Sequence, residues 1–311
     1  MTRLPAGLLQ DADLQAIFAA IEAGGHRAWL VGGAVRNALL GEPVGDLDLA
    51  TDAPPHRVSD LAKAAGLKPV PTGIDHGTVT VVAGGRGFEV TTLRRDVETD
   101  GRRAVVAFSD DLAQDAHRRD FTMNALYAGR DGTVIDLVGG LEDLHARRLR
   151  FVGDPAQRIA EDYLRILRFF RFLAWYGRDA DPAALAACRD GRDGLAQISR
   201  ERIGQELRKL LMARDPLPAI RLMAENGAAL LPRDAAPEVA GNLSSILRMT
   251  DRIARITDQL RGFARKATGQ VGPVSLKEAV DAALLLAKAL TPEPMRPGWS
   301  DALRLSRSVL P

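Results

Sequence analysis

The feature that most constrains this chain is a change of hydrophobic period near residue 154. Before it, short apolar runs alternate with polar residues and are cut by glycine turns, the pattern of strands mixed with helices. From Asp154 onward the strand signals stop and apolar residues recur every three or four positions. A chain written this way folds as a mixed strand-and-helix unit followed by a helical one.

Within the first part, Leu14, Ile17, Phe18 and Ile21 predict a helix over 11–24, ended by Gly24-Gly25. Ala28-Trp29-Leu30-Val31 predicts a buried strand that feeds Gly32-Gly33, then a helix from Ala34 to Leu40 stopped by Gly41. Asp46 to Ala50 alternates polar and apolar, as a half-buried strand does. Residues 79–82 and 87–92 flank Gly84-Gly85-Arg86 and predict a hairpin with a loop longer than two residues. A further strand is expected at 133–136. In the second part, helices are expected over 156–176, 200–212 and 216–226, the middle one with Ile203, Leu207 and Leu210-Leu211 on one side. Pro232 and Pro237 mark a boundary. The expected domains are 1–145, 146–235 and 236–311.

Composition excludes several classes. With 46% hydrophobic and 26% charged residues the chain is ordinary for a globular protein, not a disordered or fibrous one. No apolar run approaches the ~20 residues of a membrane helix, and residues 1–10 lack a secretory signal's apolar core. The single cysteine, Cys188, excludes an internal disulfide framework and a multi-cysteine zinc site. A cytoplasmic location is the expectation. A net charge of +2 does not by itself point to nucleic acid. The basic residues are 36 Arg against 6 Lys, which suits phosphate and base-edge contacts and equally suits GC-rich coding.

Asp46 and Asp48 lie two apart on the expected strand, so period two puts both carboxylates on one face. Two hard oxygen ligands on a rigid edge suit Mg²⁺, which keeps waters and recruits substrate phosphates. Alone, an Asp-x-Asp is a weak signal, and so is a Gly-Gly turn, which often just joins a strand to a helix. The order strand, Gly-Gly, helix carrying Arg36, then Asp-x-Asp is much more specific. Glycines there let a triphosphate approach the backbone at a helix N-terminus, with Arg36 one turn inside.

These residues resemble the polymerase-β type of nucleotidyltransferase, and more narrowly the class II CCA-adding enzymes of the tRNA nucleotidyltransferase and poly(A) polymerase family. Leu30 to Arg36 with Asp46-Leu47-Asp48 resembles the first motif of that family, and Arg118 to Ala125 the second. Gly139-Gly140 fits the motif between head and neck. Glu161 to Phe172 resembles the nucleotide-template helix, and Ser199 to Ile203 with Glu206-Leu207 the fifth motif. The match covers about residues 25–230.

The resemblance implies an α/β nucleotidyltransferase head with a mixed sheet, followed by an all-α neck and body. It implies an enzyme that adds C, C and A to tRNA 3′ ends from CTP and ATP, releasing pyrophosphate. Asp46 and Asp48 would be catalytic and hold Mg²⁺. Gly33, Arg36 and Arg119 would contact the triphosphate. Asp162 and Arg165 would read the base, and Arg168 and Arg171 would add nucleotide contacts. The chemistry agrees, since a carboxylate accepts from the exocyclic amines of cytosine and adenine while Arg donates to ring acceptors. A solvated 162/165 salt bridge is the plain alternative. The charged stretch 93–103, with Arg94 and Asp96, resembles the loop implied in the switch from C to A. Asn37 stands where the family usually has Asp and cannot neutralise Arg36; Glu89 on a neighbouring strand is a further acid. Trp29, Trp175 and the phenylalanines at 169–172 read as core. Alternatives within the family are a poly(A) polymerase and a CC-adding enzyme. From another class, an inactive RNA-binding or helical dimerisation scaffold remains.

Beyond about residue 235 the resemblance fades. Ile246, Met249, Ile253, Ile256, Leu260 and Phe263 form an a/d seam that would suit a homodimer contact. Residues 240–290 locally resemble a sensor histidine kinase dimerisation helix. No histidine follows His145, so autophosphorylation on such a helix is not expected.

Overall fold

The computed structural model describes residues 1–96, 106–228 and Arg248. The chain divides into two units, 1–236 and 237–311, and all the elements named here belong to the first. The a/d seam residues, and all of the kinase-like segment but Arg248, lie outside the described residues.

Its elements are α1 (Ala6–Leu9), α2 (Ala12–Ala23), β1 (Ala28–Val31), α3 (Gly33–Leu40), β2 (Leu49–Thr51), α4 (Pro55–Ala64), β3 (Lys68–Gly73), β4 (Thr78–Ala83), β5 (Arg86–Thr92), β6 (Arg94–Asp96), β7 (Val106–Phe108) and α5 (Leu112–His117). They continue as β8 (Leu126–Ala128), β9 (Val134–Asp136), α6 (Gly140–Ala146), β10 (Arg148–Leu149), α7 (Pro155–Glu161), α8 (Leu164–Trp175), β11 (Asp179–Ala180), α9 (Pro182–Asp190), α10 (Arg200–Leu211) and α11 (Leu217–Ala228).

Seven strands form one mixed sheet in the order β3-β4-β5-β2-β1-β8-β9. β1 lies between antiparallel neighbours β2 and β8, and β2 pairs parallel with β5. The short apolar run of β1 is buried on both faces. Ala28 and Leu30 join the main core with α2 and α3, whereas Trp29 and Val31 pack with Leu93, Ala116 and Tyr127 on the other face. That two-sided burial is why the run lacks polar alternation.

Helix ends follow local chemistry. The Asp11 carboxylate accepts from Asp13 N and Leu14 N to cap α2, and Gly41 closes α3 in the left-handed conformation. At α6, a Cβ on Gly140 would stand 2.2 Å from the Thr122 carbonyl oxygen. Only glycine permits that approach of backbone to backbone.

Four expectations change. Residues 46–48 form the approach to β2 rather than part of the strand. The hairpin loop is only Gly84-Gly85, because Ala83 pairs with Arg86 and the Arg86 guanidinium is held by Asp11 and Asp13. The helix expected over 156–176 breaks at Asp162, whose extended backbone (φ −156°, ψ 104°) separates α7 from α8. Strand structure does not end at 154 either, since β11 pairs parallel with β10. A fifth, smaller difference is Leu211, 62% exposed while Leu210 is buried. Of the 93–103 stretch, Arg94–Asp96 form β6 against β7, and 97–105 lie outside the described residues.

The phenylalanines of α8 are core, as expected. Phe169 and Phe172 join Phe121 and Phe151 in one cluster, with ring centroids 4.9 Å apart for 121–151 and 5.1 Å for 121–172. This cluster fixes α8 against the segment 118–125. Trp29 is core too, but Trp175 is not: it is 43% exposed.

Candidate active site

At the end of β1 the chain turns through Gly32, with φ 64° and ψ −119°, into α3. An L side chain rarely adopts that backbone, so the residue must be glycine. The Gly32 N–H donates to Leu126 O of β8 at 3.2 Å, and Gly32 O accepts from Arg36 N at 2.9 Å. The turn is thus pinned to the sheet on one side and to α3 on the other.

Arg119 leans over this turn. Its Nε donates to Tyr127 Oη at 2.8 Å, and its Nη2 donates to Asp115 Oδ2 at 2.9 Å. Nη1, by contrast, makes no hydrogen bond with a described residue and stands 3.7 Å from where a Gly32 Cβ would be. Asp115 is buried, and burial alone would raise its carboxyl. The charges of Arg119 and Arg118 and the Tyr127 hydroxyl more than offset that and hold it below the usual carboxylate range. Arg119 is therefore a fixed cation with one free donor edge at the glycine turn.

Asp48 borders the same region. Its carbonyl accepts from Val31 N at 3.0 Å, extending the β1–β2 pairing by one residue. The parallel register Leu49↔Val90 sets Glu89 of β5 beside it. Burial, then the negative charges of Glu89 and Asp46, push the Asp48 carboxyl above its ordinary value, and Arg119 opposes them. Asp46 is exposed at the mouth of a cavity of about 420 Å³. Among the described residues no three His, Cys, Asp or Glu side chains gather as a metal-holding group; Glu89 adds negative charge beside Asp48. Asp46 and Asp48 fit a divalent cation as a pair: they already crowd negative charge that a cation would relieve.

Arg36 is placed differently from the expectation. It is buried, 6% exposed, with its guanidinium 3.8 Å from the Tyr176 ring centroid. Its Nε and Nη2 donate to Asn37 Oδ1 at 3.1 and 2.8 Å, and Nη1 donates to Asn124 Oδ1. The Asn37 amide also donates from Nδ2 to Pro43 O at 2.8 Å, which a carboxylate could not do. The hydrogen bonding that an acid would give Arg36 is kept, but its charge has no contacting carboxylate among the described residues. Burial lowers the Arg36 pKa. Its role in this geometry is to join α3 to the end of α8.

The expected base-reading residues lie along α7 and α8. Asp162 sits at the break, where Oδ1 accepts from Leu164 N at 3.1 Å and Oδ2 accepts from Arg202 of α10 at 2.7 Å. Arg165 pairs with Glu161 and also donates to Arg158 O at 2.7 Å. The plain 162/165 salt bridge is therefore not formed. Arg168 clasps Asp120 through Nε at 2.9 Å and through Nη2. Arg171 donates to buried Glu206 at 2.6 Å.

The structure thus brings Gly32-Gly33, Arg119, Asp46 and Asp48 to one edge of the sheet. Asp162, Arg165, Arg168 and Arg171 form a second row on the helices. Sequence reading assigned no role to Asp115, Asp120, Tyr127, Tyr176, Arg202 or Glu206, which hold those residues in place. Asp120, Arg202 and Glu206 do fall inside the quoted motifs. Tyr176 carries no local signal.

The chain is similar to known proteins. Residues 28–150 match the Poly A polymerase head domain family, and residues 179–233 match a family described as the probable RNA and SrmB-binding site of polymerase A. The chain is 41% identical over 248 residues to human CCA tRNA nucleotidyltransferase 1, mitochondrial, covering 78% of this chain and 54% of that protein. The mouse protein of the same name is 37% identical over 297 residues, covering 88% of this chain and 67% of that protein. A crystal structure of the Bacillus stearothermophilus CCA-adding enzyme in complex with CTP superposes with a TM-score of 0.66 at 36% identity, covering 76% of this chain and 56% of that one. The chain spans about half the length of the first of these relatives. Residues 1–236 are about three quarters of the chain, so the mouse alignment enters the segment beyond. Neither matched family span reaches 240–290, and the kinase-like resemblance gains no support from them. Among the described residues no helix is long and apolar enough to cross a membrane.

Proposed function

Because the chain belongs to the tRNA nucleotidyltransferase and poly(A) polymerase family, we propose that it adds C, C and A to the 3′ end of tRNA from CTP and ATP. The observation that carries the reading is Asp46 and Asp48 beside a glycine turn over which Arg119 holds a free Nη1. A triphosphate seated at the turn would meet that donor and the N-terminus of α3. Residues 1–145 act as the head, and 146–235 as the neck and body.

Asp46 and Asp48 would hold Mg²⁺. When bound, the metal favours loss of the primer's 3′-hydroxyl proton and neutralises charge on the leaving pyrophosphate. Gly32-Gly33 leaves room for the phosphates, and Arg119 orients them as the 3′-hydroxyl attacks the α-phosphorus. Asp162 and Arg165 face the base edge, Asp162 accepting from the exocyclic amine and Arg165 donating to the ring acceptors. Arg202 of α10 holds the Asp162 carboxylate for that task, and Arg168 and Arg171 stiffen the helix through Asp120 and through Glu206 of α10.

The test is incorporation of CTP and ATP, with Mg²⁺, into a tRNA that ends before its CCA, with products read by mass. Two C and one A, absent from Asp46→Ala/Asp48→Ala, is the expected result. Long A-only products would replace the reading with a poly(A) polymerase. Products stopping at CC would replace it with a CC-adding enzyme. No incorporation would leave the scaffold reading.

A further inference from the structure

The segment that joins α3 to β2 carries Asp46 with little to hold it. Residues 41–43, 45 and 46 are exposed, and Val44 and Leu47 pack only partly against the core. Among the described residues, a single hydrogen bond reaches the stretch from Pro43 to Leu47. It is made by the Pro43 carbonyl, which accepts from Asn37 Nδ2 at 2.8 Å. Asp48 is held in another way. Its carbonyl accepts from Val31 N at 3.0 Å, so the sheet fixes it. The two carboxylates thus have separate supports, and the support of Asp46 runs through Asn37.

Chemistry decides which way the Asn37 amide faces. A guanidinium only donates, so the amide oxygen faces Arg36 and the nitrogen faces away. Arg36 donates to that oxygen through Nε at 3.1 Å and Nη2 at 2.8 Å. The NH2 group is left to donate to the Pro43 carbonyl. An aspartate in this place would give Arg36 a charged partner but would set a second acceptor against that carbonyl, with no proton between them. Asparagine at 37 gives up an ion pair and gains a tie to the loop.

The anchor itself is firmly placed. Asn37 lies in α3, and its own carbonyl accepts from Glu42 N at 2.9 Å. Arg36 is buried, stacks 3.8 Å from the Tyr176 ring centroid and donates from Nη1 to Asn124 Oδ1. Asn124 Nδ2 donates in turn to Asp120 Oδ1 at 3.1 Å, and Asp120 accepts from Arg168 of α8. A chain of hydrogen bonds therefore runs from α8 through Asp120, Asn124, Arg36 and Asn37 to the backbone three residues before Asp46.

Taking Asp46 and Asp48 as ligands of one divalent cation, as the proposed function does, we infer that Asn37 is a positioning residue for Asp46. Its amide fixes the 43–47 segment so that the two carboxylates serve the same ion.

The experiment titrates Mn²⁺ into the full chain, follows free Mn²⁺ by its paramagnetic resonance signal, and measures thermal unfolding without metal. Asn37→Asp removes the donor, keeps the shape and gives Arg36 a carboxylate. It should raise the Mn²⁺ Kd about fivefold, less than the roughly 10–100-fold typical of groups that orient a ligand directly, while Tm holds or rises. Asn37→Ala should raise the Kd similarly but lower Tm, because Arg36 loses two hydrogen bonds. Metal affinity then follows the amide donor, and stability follows the partner of Arg36. A merely structural Asn37 would move Kd and Tm together in both variants, which would overturn the positioning role. In an Asp46→Ala background, Asn37→Asp should leave the Mn²⁺ Kd unchanged, since its effect passes through Asp46. An Asn37→Asp variant that binds Mn²⁺ as wild type does would overturn the role and leave the aspartate pair standing. So would an equal loss with and without Asp46. A wild type that binds Mn²⁺ no more tightly than Asp46→Ala/Asp48→Ala would overturn the pair as ligands, and the role of Asn37 with it.

Discussion

Removing the Asp120 carboxylate should loosen α8 from the segment that carries Arg119. Asp120 accepts from Arg168 Nε and Nη2, from Asn124 Nδ2 at 3.1 Å and from Phe121 N at 2.8 Å. Its side chain is 10% exposed and that of Arg168 31%. Deleting one partner of a buried ion pair costs about 3–5 kcal/mol, mostly from the charge left behind. Water reaches part of Arg168, so Asp120→Ala belongs at the low end, about 3 kcal/mol. Asp120→Asn keeps an acceptor and loses the charge, for about 1–2 kcal/mol. Urea unfolding should show the midpoint falling at constant m-value. A cycle with Arg168→Ala should be non-additive by at least about 1 kcal/mol. The pH dependence has a definite sign. Burial opposes ionisation of Asp120, but Arg168 and the hydrogen bonds hold its carboxyl below the ordinary range. Its contribution is therefore complete above the unfolded value of about 3.9 and is lost only as pH falls through the lower folded value. The stability gap between wild type and Asp120→Ala should be flat from neutral pH down to about pH 5 and shrink below that. A loss under about 1 kcal/mol for Asp120→Ala, or an additive cycle, would refute the reasoning that this pair locks α8 in place.

Three further outcomes are expected. Glu89 adds like charge beside Asp48, so Glu89→Gln should lower the Asp48 pKa and shift the acid limb of the rate profile to lower pH; a limb that stays put or moves up would contradict the geometry. The Asp162–Arg202 pair is partly exposed, so Arg202→Ala should leave Tm nearly unchanged yet cut the preference for CTP over UTP about fivefold, roughly 1 kcal/mol. Unchanged selectivity would show that Asp162 needs no such support. Burial raises the Cys188 thiol well above its ordinary value, so iodoacetamide should label it only after denaturation, as mass spectrometry can check.

The architecture was legible where one residue type had one structural use. Apolar runs named β1 and the helices α2, α3, α10 and α11, because burial demands periodicity. Glycine at 32 and 41 marked backbone states that other residues avoid. Charged positions were harder. Asp46 to Ala50 alternates like a strand, yet only its end is paired, since strand length depends on which neighbour is there to bond. The run 156–176 reads as one helix, yet Asp162 breaks it; its carboxylate bonds Leu164 N locally and Arg202 forty residues away.

By itself, the sequence pointed to most residues of the candidate site: the order of Gly-Gly, Asp-x-Asp, Arg119 and the Asp162–Arg171 row is already in the one-dimensional pattern, whereas Arg36 was expected there and is not. Only the tertiary structure decided which of those charges are spent and which are free. Arg119 keeps a donor edge at the turn, Arg36 is buried against Tyr176, and Arg168 is consumed by Asp120. The physical reason is that hydrophobic period is a local property of the chain. Pairing of a charge depends on distance in space, and that is set only when the sheet, α8 and α10 pack together.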